Sequence, residues 1–177
     1  MSSVVISGDT SGAITLAAPA VSGTNTATLP AATGTVMVSG NMPAFGVYLG
    51  TSQNITSGVA TKIKFDTKEF DTAACFDVVT NYRFTPQVAG YYQFNVCMTP
   101  NGTAITGADI YVYKNGSQFK RIATTSTAVP VNGSCIVSLN GSTDYIEFYG
   151  DVSATSGPQF YLGQPYTYAS GFLARTI

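Results

Sequence analysis

Side chains that could act as nucleophiles or general bases are scarce in this sequence of 177 residues. It contains no histidine, which excludes Ser-His-Asp and Cys-His catalytic systems and the HExxH zinc motif. The cysteines, Cys75, Cys97 and Cys135, show no CxxC spacing, so they indicate neither a zinc site nor a complete disulfide framework. Free thiols in a reducing compartment are the favoured interpretation, and one disulfide is the alternative.

Carboxylates could support hydrolysis or calcium binding. Asp144 and Glu147 could form an acid–base pair for glycan hydrolysis, but residues three apart in a strand point to opposite faces. A second acidic group is interspersed with lysines, which favours ion pairs on a solvated surface over a calcium site. Its members are Asp66, Glu69, Asp71 and Asp77, with Lys62, Lys64 and Lys68. We therefore predict no catalytic residues, no metal, no cofactor and no enzymatic activity.

Charged residues make up only 10% of the chain, and its net charge is -1, whereas an ordinary soluble domain is about 25% charged. This composition offers no basic surface for nucleic acid or an anionic membrane. The first nine residues lack the basic and apolar regions of a signal peptide, and no run of about 18 apolar residues occurs. We expect no membrane partner, no signal peptide and synthesis in the cytoplasm.

Composition divides the chain near residue 43. Residues 1–43 contain one charged residue, Asp9, and no aromatic residue, whereas the 11 Tyr and 10 Phe all lie from Phe45 onward. Such a segment buries too little apolar area to enclose its own core. We predict an extended, β-rich arm over residues 1–43 that partners order; a flexible linker is the alternative. Its predicted anchoring residues are Ile14, Leu16, Val21, Leu29, Val36 and Val38.

Residues 44–177 are predicted to form an all-β domain. Helical periodicity is missing, and short alternating segments recur between turn residues, as in a sandwich or jelly roll. Four Asn-Gly pairs predict turns, because these residues readily adopt the positive φ values of a type I′ hairpin. The pairs are Asn101-Gly102, Asn115-Gly116, Asn132-Gly133 and Asn140-Gly141.

The spacing of aromatic residues and glycines from Phe65 onward resembles the signature of the complement component 1q globular head, a family related to tumour necrosis factor. The matching residues are Phe65, Asp71, Phe76, Phe84, Gly90, Tyr92 and Phe94, followed by Gly171, Phe172 and Leu173 near the carboxyl end. The resemblance implies a ten-stranded jelly-roll sandwich that assembles as a homotrimer, with these residues as its core signature. Alternation independently predicts that Tyr92, Phe94 and Val96 share a buried face.

Residues 12–36 are similar to a segment that recurs in fibre and appendage proteins of tailed bacteriophages. Together, the two resemblances imply a virion-surface structural protein: a trimeric capsid decoration or head-fibre protein, with arms on the major capsid protein and heads outward. The alternative is a short tail-fibre or receptor-binding protein that recognises a host surface glycan or protein. In that case Phe160, Tyr161 and Tyr166 could stack on sugars, although packing in the core or against trimer mates is the favoured interpretation.

Overall fold

The computed structural model describes residues 3–17, 20–21, 23–26, 31, 36, 38 and 42–177. Within these ranges the chain contains strands and no helix, which confirms the predicted all-β class. Consequently, no described helix is long and apolar enough to span a membrane. The chain divides into two compact units, Met1–Gly34 and Thr35–Ile177. The boundary predicted after residue 43 lies further along the chain than this division.

The first unit contains an antiparallel hairpin of β1 (Ser3–Ser7) and β2 (Ala13–Ala17). Its loop is closed by the amide of Gly8, which donates to the carbonyl oxygen of Gly12 at 3.0 Å. Gly12 has a φ of 79°, a value that glycine adopts without steric cost. Two small glycines at the ends of a polar loop therefore allow the β-branched segments to pair.

The second unit contains fourteen described strands. They are β3 (Ala44–Tyr48), β4 (Gln53–Asn54), β5 (Thr61–Lys62), β6 (Thr67–Asp71), β7 (Phe76–Asp77), β8 (Arg83–Phe84), β9 (Gly90–Met98), β10 (Pro100–Thr103), β11 (Gly107–Lys114), β12 (Ser117–Thr125), β13 (Val131–Leu139), β14 (Ile146–Ser153), β15 (Ser156–Phe160) and β16 (Tyr168–Thr176). Four of them, β4, β5, β7 and β8, have only two residues. Together these strands form the predicted jelly-roll sandwich and one smaller sheet.

Two antiparallel sheets face each other across the core. The first, here called the β9 sheet, has the order β13-β9-β16-β3-β6. The second, the β14 sheet, has the order β12-β11-β14-β8-β7, with β5 also paired to β14. A smaller sheet of order β10-β15-β4 completes the unit. Consecutive strands often lie in different sheets, as Greek-key connections require.

Aromatic rings fill the space between the two sheets. Phe94 of the β9 sheet lies with its ring centroid 5.8 Å from that of Phe148 and 5.6 Å from that of Phe84, both in the β14 sheet. Edge-to-face pairs of this kind add to the free energy of burial. The hydroxyl of Tyr92 donates to the carbonyl oxygen of Val88 at 2.7 Å, and burial raises the pKa of Tyr92 to about 12. The phenol therefore stays protonated as a structural donor.

Most of the core signature lies in this interior. The buried members are Phe65, Phe76, Phe84, Gly90, Tyr92, Phe94, Gly171 and Leu173. Asp71 has a different role, because its carboxylate accepts hydrogen bonds from the amides of Cys75 at 3.0 Å and Phe76 at 2.9 Å. Phe172 is 47% exposed. Its assignment to the core was wrong, because alternation along β16 turns it away from its buried neighbours Gly171 and Leu173.

The four Asn-Gly pairs occupy three kinds of position. Asn115-Gly116 closes the β11–β12 hairpin with φ values of 54° and 79°, which confirms that prediction. Asn140-Gly141 forms a turn, but the strands it joins, β13 and β14, belong to different sheets. Asn101-Gly102 and Asn132-Gly133 lie inside β10 and β13, so their prediction as turns was wrong.

The two glycines inside strands permit close backbone approach instead. A Cβ on Gly133 would lie 2.3 Å from the carbonyl oxygen of Ile122 in β12. Gly102 lies at an irregularity in the register of β10, between Asn101 and Thr103, and has a φ of 148°. Both positions select glycine through tertiary contacts or a bulge rather than through a hairpin turn.

Candidate subunit interface

The solvent-facing side of the β9 sheet carries large apolar side chains and, on four of its five strands, almost no charge. Strands β13, β9, β16 and β3 together contain a single charged residue, Arg175. The edge strand β6 contains Lys68, Glu69 and Asp71. We call this side the β9 face, and its large exposed residues are Phe70, Tyr91, Ile136, Tyr168 and Phe172, between 38% and 53% exposed. A sheet surface of this composition is typical of a protein interface rather than of a solvated face.

Strand register brings these side chains together. Gln93 lies directly opposite both Ile136 of β13 and Phe172 of β16, so one row crosses the sheet from Ile136 to Phe172. Two rows further along the same face, Tyr168 lies opposite Tyr48 of β3. The row between them pairs Asn95 with Ser134 and Ser170. Residues opposite each other on neighbouring strands have Cβ atoms about 5 Å apart. The large side chains therefore form an apolar row at Ile136 and Phe172 and an aromatic row at Tyr168 and Tyr48, with a polar row between them.

Phe70 extends this face across the edge strand β6. It pairs with Gly46, where a Cβ would lie 2.8 Å from the Phe70 ring and 2.8 Å from a carboxylate oxygen of Glu69. The ring and the carboxylate therefore lie over the space that Gly46 leaves empty. Gln164 donates a hydrogen bond to Glu69, which ties the loop before β16 to this edge.

Two grooves flank Tyr168 on the β9 face. One, of about 530 Å³, is lined by Tyr168, Glu69, Gln164 and Pro165 among others. The other, of about 270 Å³, is lined by Tyr168 together with residues of β9 and β13 that include Asn95. Tyr168 is therefore a ridge between two depressions. This relief suits a complementary protein surface better than a small substrate, because both grooves are open and neither contains a pair of functional groups suited to acid–base chemistry.

The cysteines lie in and beneath the sheets as free thiols. Cys75 and Cys97 are buried and Cys135 is half-buried, and none forms a disulfide. Burial raises the pKa of each of the three thiols. A thiol must ionise to act as a nucleophile, so these three are suited to packing. Cys97 also donates a weak hydrogen bond to the carbonyl oxygen of Tyr166 at 3.5 Å.

The solvent-facing side of the β14 sheet is, in contrast, charged. Lys62 and Glu147 form a salt bridge of 2.5 Å, and Arg121 lies 3.7 Å from Asp109. One large apolar residue, Phe119 on the edge strand β12, is 47% exposed. The two outer surfaces of the sandwich thus differ in chemistry, and only the β9 face lacks ion pairs across its central strands.

Asp109, Tyr111 and Asp151 form a cluster on the charged side that sequence reasoning did not identify. The two aspartates lie directly opposite each other on β11 and β14. The hydroxyl of Tyr111 lies 3.1 Å from Asp109 Oδ2 and 2.9 Å from Asp151 Oδ2, while Asp109 Oδ1 has no hydrogen-bond partner. One hydroxyl proton cannot satisfy two carboxylates. Burial, together with the charge of Asp109, raises the pKa of Asp151.

The acidic residues considered for calcium serve separate local contacts. Asp66 accepts the amide of Gly50 at 2.5 Å, and Glu69 accepts from Gln164. Burial opposes ionisation of Asp71, but hydrogen bonds from Lys68 and two amides outweigh it and lower its pKa. Amide hydrogen bonds from the loop after β7 lower the pKa of Asp77. Within the described residues, no three metal-ligating side chains cluster.

The aromatic loop suggested for ligand binding divides between surface and core. Tyr161 and Tyr166 are 39% and 45% exposed, with ring centroids 5.2 Å apart in an edge-to-face arrangement. Phe160 is fully buried, so its assignment to a ligand surface was wrong. It ends β15 opposite Pro100 and Gln53, and its ring lies beneath a glycine of β14.

The predicted anchoring residues of the arm are exposed wherever the structure describes them. Ile14 and Leu16 lie on β2, and Val21, Val36 and Val38 are between 58% and 91% exposed. Leu29 lies outside the described residues. Their role in anchoring stays a prediction.

The sandwich has the fold of complement 1q and tumour necrosis factor-like jelly-roll domains. It is similar to the globular domain of zebrafish complement 1qA, with a TM-score of 0.53 and 19% identity over 76% of this chain and 98% of that chain. Murine APRIL at pH 8.0 gives a TM-score of 0.58 and 10% identity over 75% of this chain and 98% of that one. Identities this low establish the fold alone. No family model and no curated protein matches the sequence.

Interface residues were harder to identify from the sequence than core residues. Tyr91, Ile136 and Tyr168 were not among the predicted site residues. An available signal was the scarcity of charge, with Arg175 as the exception, at outward positions of β9, β13 and β16, because an isolated sheet normally alternates apolar with charged or polar residues. Recognising this signal requires knowing whether the odd-numbered or the even-numbered residues of each strand face solvent.

Proposed function

We propose that this protein is a non-enzymatic, homotrimeric structural protein whose subunits associate through the β9 face. The observation that carries this proposal is the exposed apolar patch around Phe172, on strands with one charged residue among them. Monomers rarely expose a contiguous apolar patch of this kind, because water contact costs free energy in proportion to apolar area. The jelly-roll fold also favours assembly as a homotrimer.

The β9 face carries both projections and depressions. Phe70 and Phe172 supply projecting side chains, and the groove of about 530 Å³ beside Tyr168 supplies a depression. Relief of this kind on one face fits contact with another copy of the chain, in a two-fold pair or in a closed ring. We propose three subunits because trimerism is expected for the jelly-roll fold.

A mass measurement combined with hydroxyl-radical footprinting tests this proposal. We expect a particle of three times the 18.5 kDa of one chain. In it, Phe172 should oxidise several-fold more slowly than Phe119, although both are 47% exposed in the single chain. Phe119 is the internal control because it lies on the opposite sheet. A monomeric protein, or equal oxidation of the two phenylalanines in the assembly, would refute the proposed interface.

We further propose that the trimer is a virion component, a capsid decoration or head-fibre protein that its arms attach to the major capsid protein. This role rests on the resemblance of residues 12–36 to phage appendage segments and on an arm with a single charge, Asp9. Deleting residues 2–40 should leave a trimer that no longer co-sediments with purified virions. Full retention of virion binding by the truncated protein would contradict an anchoring role for the arm.

Receptor binding is the second candidate, favoured by the two exposed rings of Tyr161 and Tyr166. Tyrosine faces stack on the apolar faces of sugars while their hydroxyls bond the sugar hydroxyls. Changing both residues to alanine should then abolish adsorption to host cells while the trimer stays intact. Unchanged adsorption would assign these rings to packing between subunits or to no contact at all.

A further inference from the structure

The β1–β2 hairpin has one strongly apolar side. Its register places Val4 opposite Leu16 and Ile6 opposite Ile14, and these four side chains share one face because they alternate with Val5 and Thr15. All four are between 55% and 67% exposed. The other face carries Val5 and Thr15 at its centre. We call the first surface the hairpin face.

The hairpin also has two open edges. Among the described residues, β1 pairs only with β2 and β2 only with β1, so each strand has one row of backbone groups without a strand partner. A two-stranded sheet is marginally stable alone in water. An unpaired edge beside an apolar face is a template for pairing with another chain.

We infer that the hairpins of three subunits pair edge to edge and enclose their hairpin faces, forming a six-stranded closed sheet. This inference rests on the proposed function, because the trimer supplies the three copies at high effective concentration. Closure pairs every open edge and removes four aliphatic side chains per subunit from water. Ile14 and Leu16 then line the interior, so Val21, Leu29, Val36 and Val38 are left as the predicted anchoring residues.

The composition of the hairpin face favours copies of itself over another kind of partner. Val4, Ile6, Ile14 and Leu16 offer neither charge nor a hydrogen-bonding group, so the face carries no polar feature that would specify a different protein. Barrels of about eight strands have interiors that side chains just fill. A six-stranded closure is narrower, and Val, Ile and Leu side chains suit its interior. A groove of about 260 Å³ beside Ile6 and Ile14 at the loop end leaves room for interdigitation.

Hydrogen–deuterium exchange on the full chain tests this inference, with V4D and V5D as a matched pair. The two valines are neighbours in β1 and are 61% and 59% exposed in the single chain, but only Val4 lies on the hairpin face. We expect protected amides in both strands of the wild-type trimer. V4D should speed their exchange about tenfold or more, because it places a carboxylate in an apolar interior, and V5D should leave their exchange unchanged.

Several results would overturn the inference. Equal effects of V4D and V5D would show that the hairpin face is not covered in preference to the opposite face. Rapid exchange of residues 3–17 in a wild-type trimer would show that the hairpin face is free, as for a docking surface used by another protein. Protection that persists in a monomeric F172E variant would show that the chain itself covers the face. A wild-type protein that is monomeric by mass refutes the proposed function, which the exchange data alone do not decide.

Discussion

Replacing Phe172 with glutamate should prevent assembly while leaving the fold intact. Phe172 is 47% exposed at the centre of the β9 face, and a phenylalanine can bury about 150–250 Å², so on the order of 100 Å² is available for contact. At about 25 cal/mol per Å² this contributes roughly 2.5 kcal/mol per subunit. Three copies lose about 7.5 kcal/mol per trimer, which weakens assembly by about five orders of magnitude. Desolvating the introduced carboxylates adds to this loss.

Sedimentation velocity across a wide concentration range measures the effect, with F119E as the matched control. Phe119 is also 47% exposed, but it lies on β12 of the β14 sheet, so F119E should assemble like the wild type. Circular dichroism should show that F172E keeps its β structure, because the substituted side chain lies outside the core. If F172E assembles with wild-type affinity, or if F119E dissociates equally, the assignment of the interface is wrong.

Three further predictions concern stability, measured by urea unfolding. F94A should lose about 3–5 kcal/mol, because its fully buried ring contacts the Phe84 and Phe148 rings. D151N should stabilise the fold near neutral pH by roughly 0.2–1 kcal/mol, since like charges directly opposite in a sheet repel. Burial raises the folded-state pKa of Asp151 above its ordinary value of 3.8. Protonated Asp151 therefore contributes to the stability of the fold fully below pH 3.8, and this contribution is lost as the pH rises through the folded-state pKa. N115A should be less stable than N115G by about 1 kcal/mol, because Asn115 has a φ of 54°.

Each stability prediction has its own contradicting result. Wild-type stability for F94A would mean that the interior repacks around the missing ring. For D151N, an advantage over the wild type that shrinks between acidic and neutral pH would contradict the raised pKa of Asp151. Equal stability of N115A and N115G would mean that the side-chain hydrogen bonds of Asn115 to Asp144 and Tyr145, which both variants lack, matter more than its backbone conformation.

Core residues were more predictable than surface residues for a physical reason. Strand periodicity identified Tyr92, Phe94 and Val96 as one buried face, because alternation is a local property of the chain. The same rule could not say which face of β16 is buried until its neighbours were known, and Phe172 was assigned to the wrong side. Phe160 failed similarly, since its burial depends on β14 and β10, which are distant in sequence.

Turn chemistry was informative only where the neighbouring strands also pair. Asn115-Gly116 forms the predicted hairpin because β11 and β12 are adjacent in one sheet. Asn132-Gly133 has the same two residues, yet it lies within β13, where the backbone of β12 approaches the missing side chain. The Asn-Gly pair has the same local conformational freedom at both sites. The strand that packs against it determines whether it forms a turn or lies within a strand.

An all-β domain without histidine chemistry, built from alternating aromatic strands and preceded by a segment with one charge, follows from the amino-acid sequence alone. These properties come from composition and short-range periodicity, which act within a few residues. The exposure of Phe70, Tyr91, Ile136, Tyr168 and Phe172 on one face of the β9 sheet, and the position of Asp109 opposite Asp151, follow from the fold. Such groupings depend on strand order and register, which bring together residues far apart in the chain.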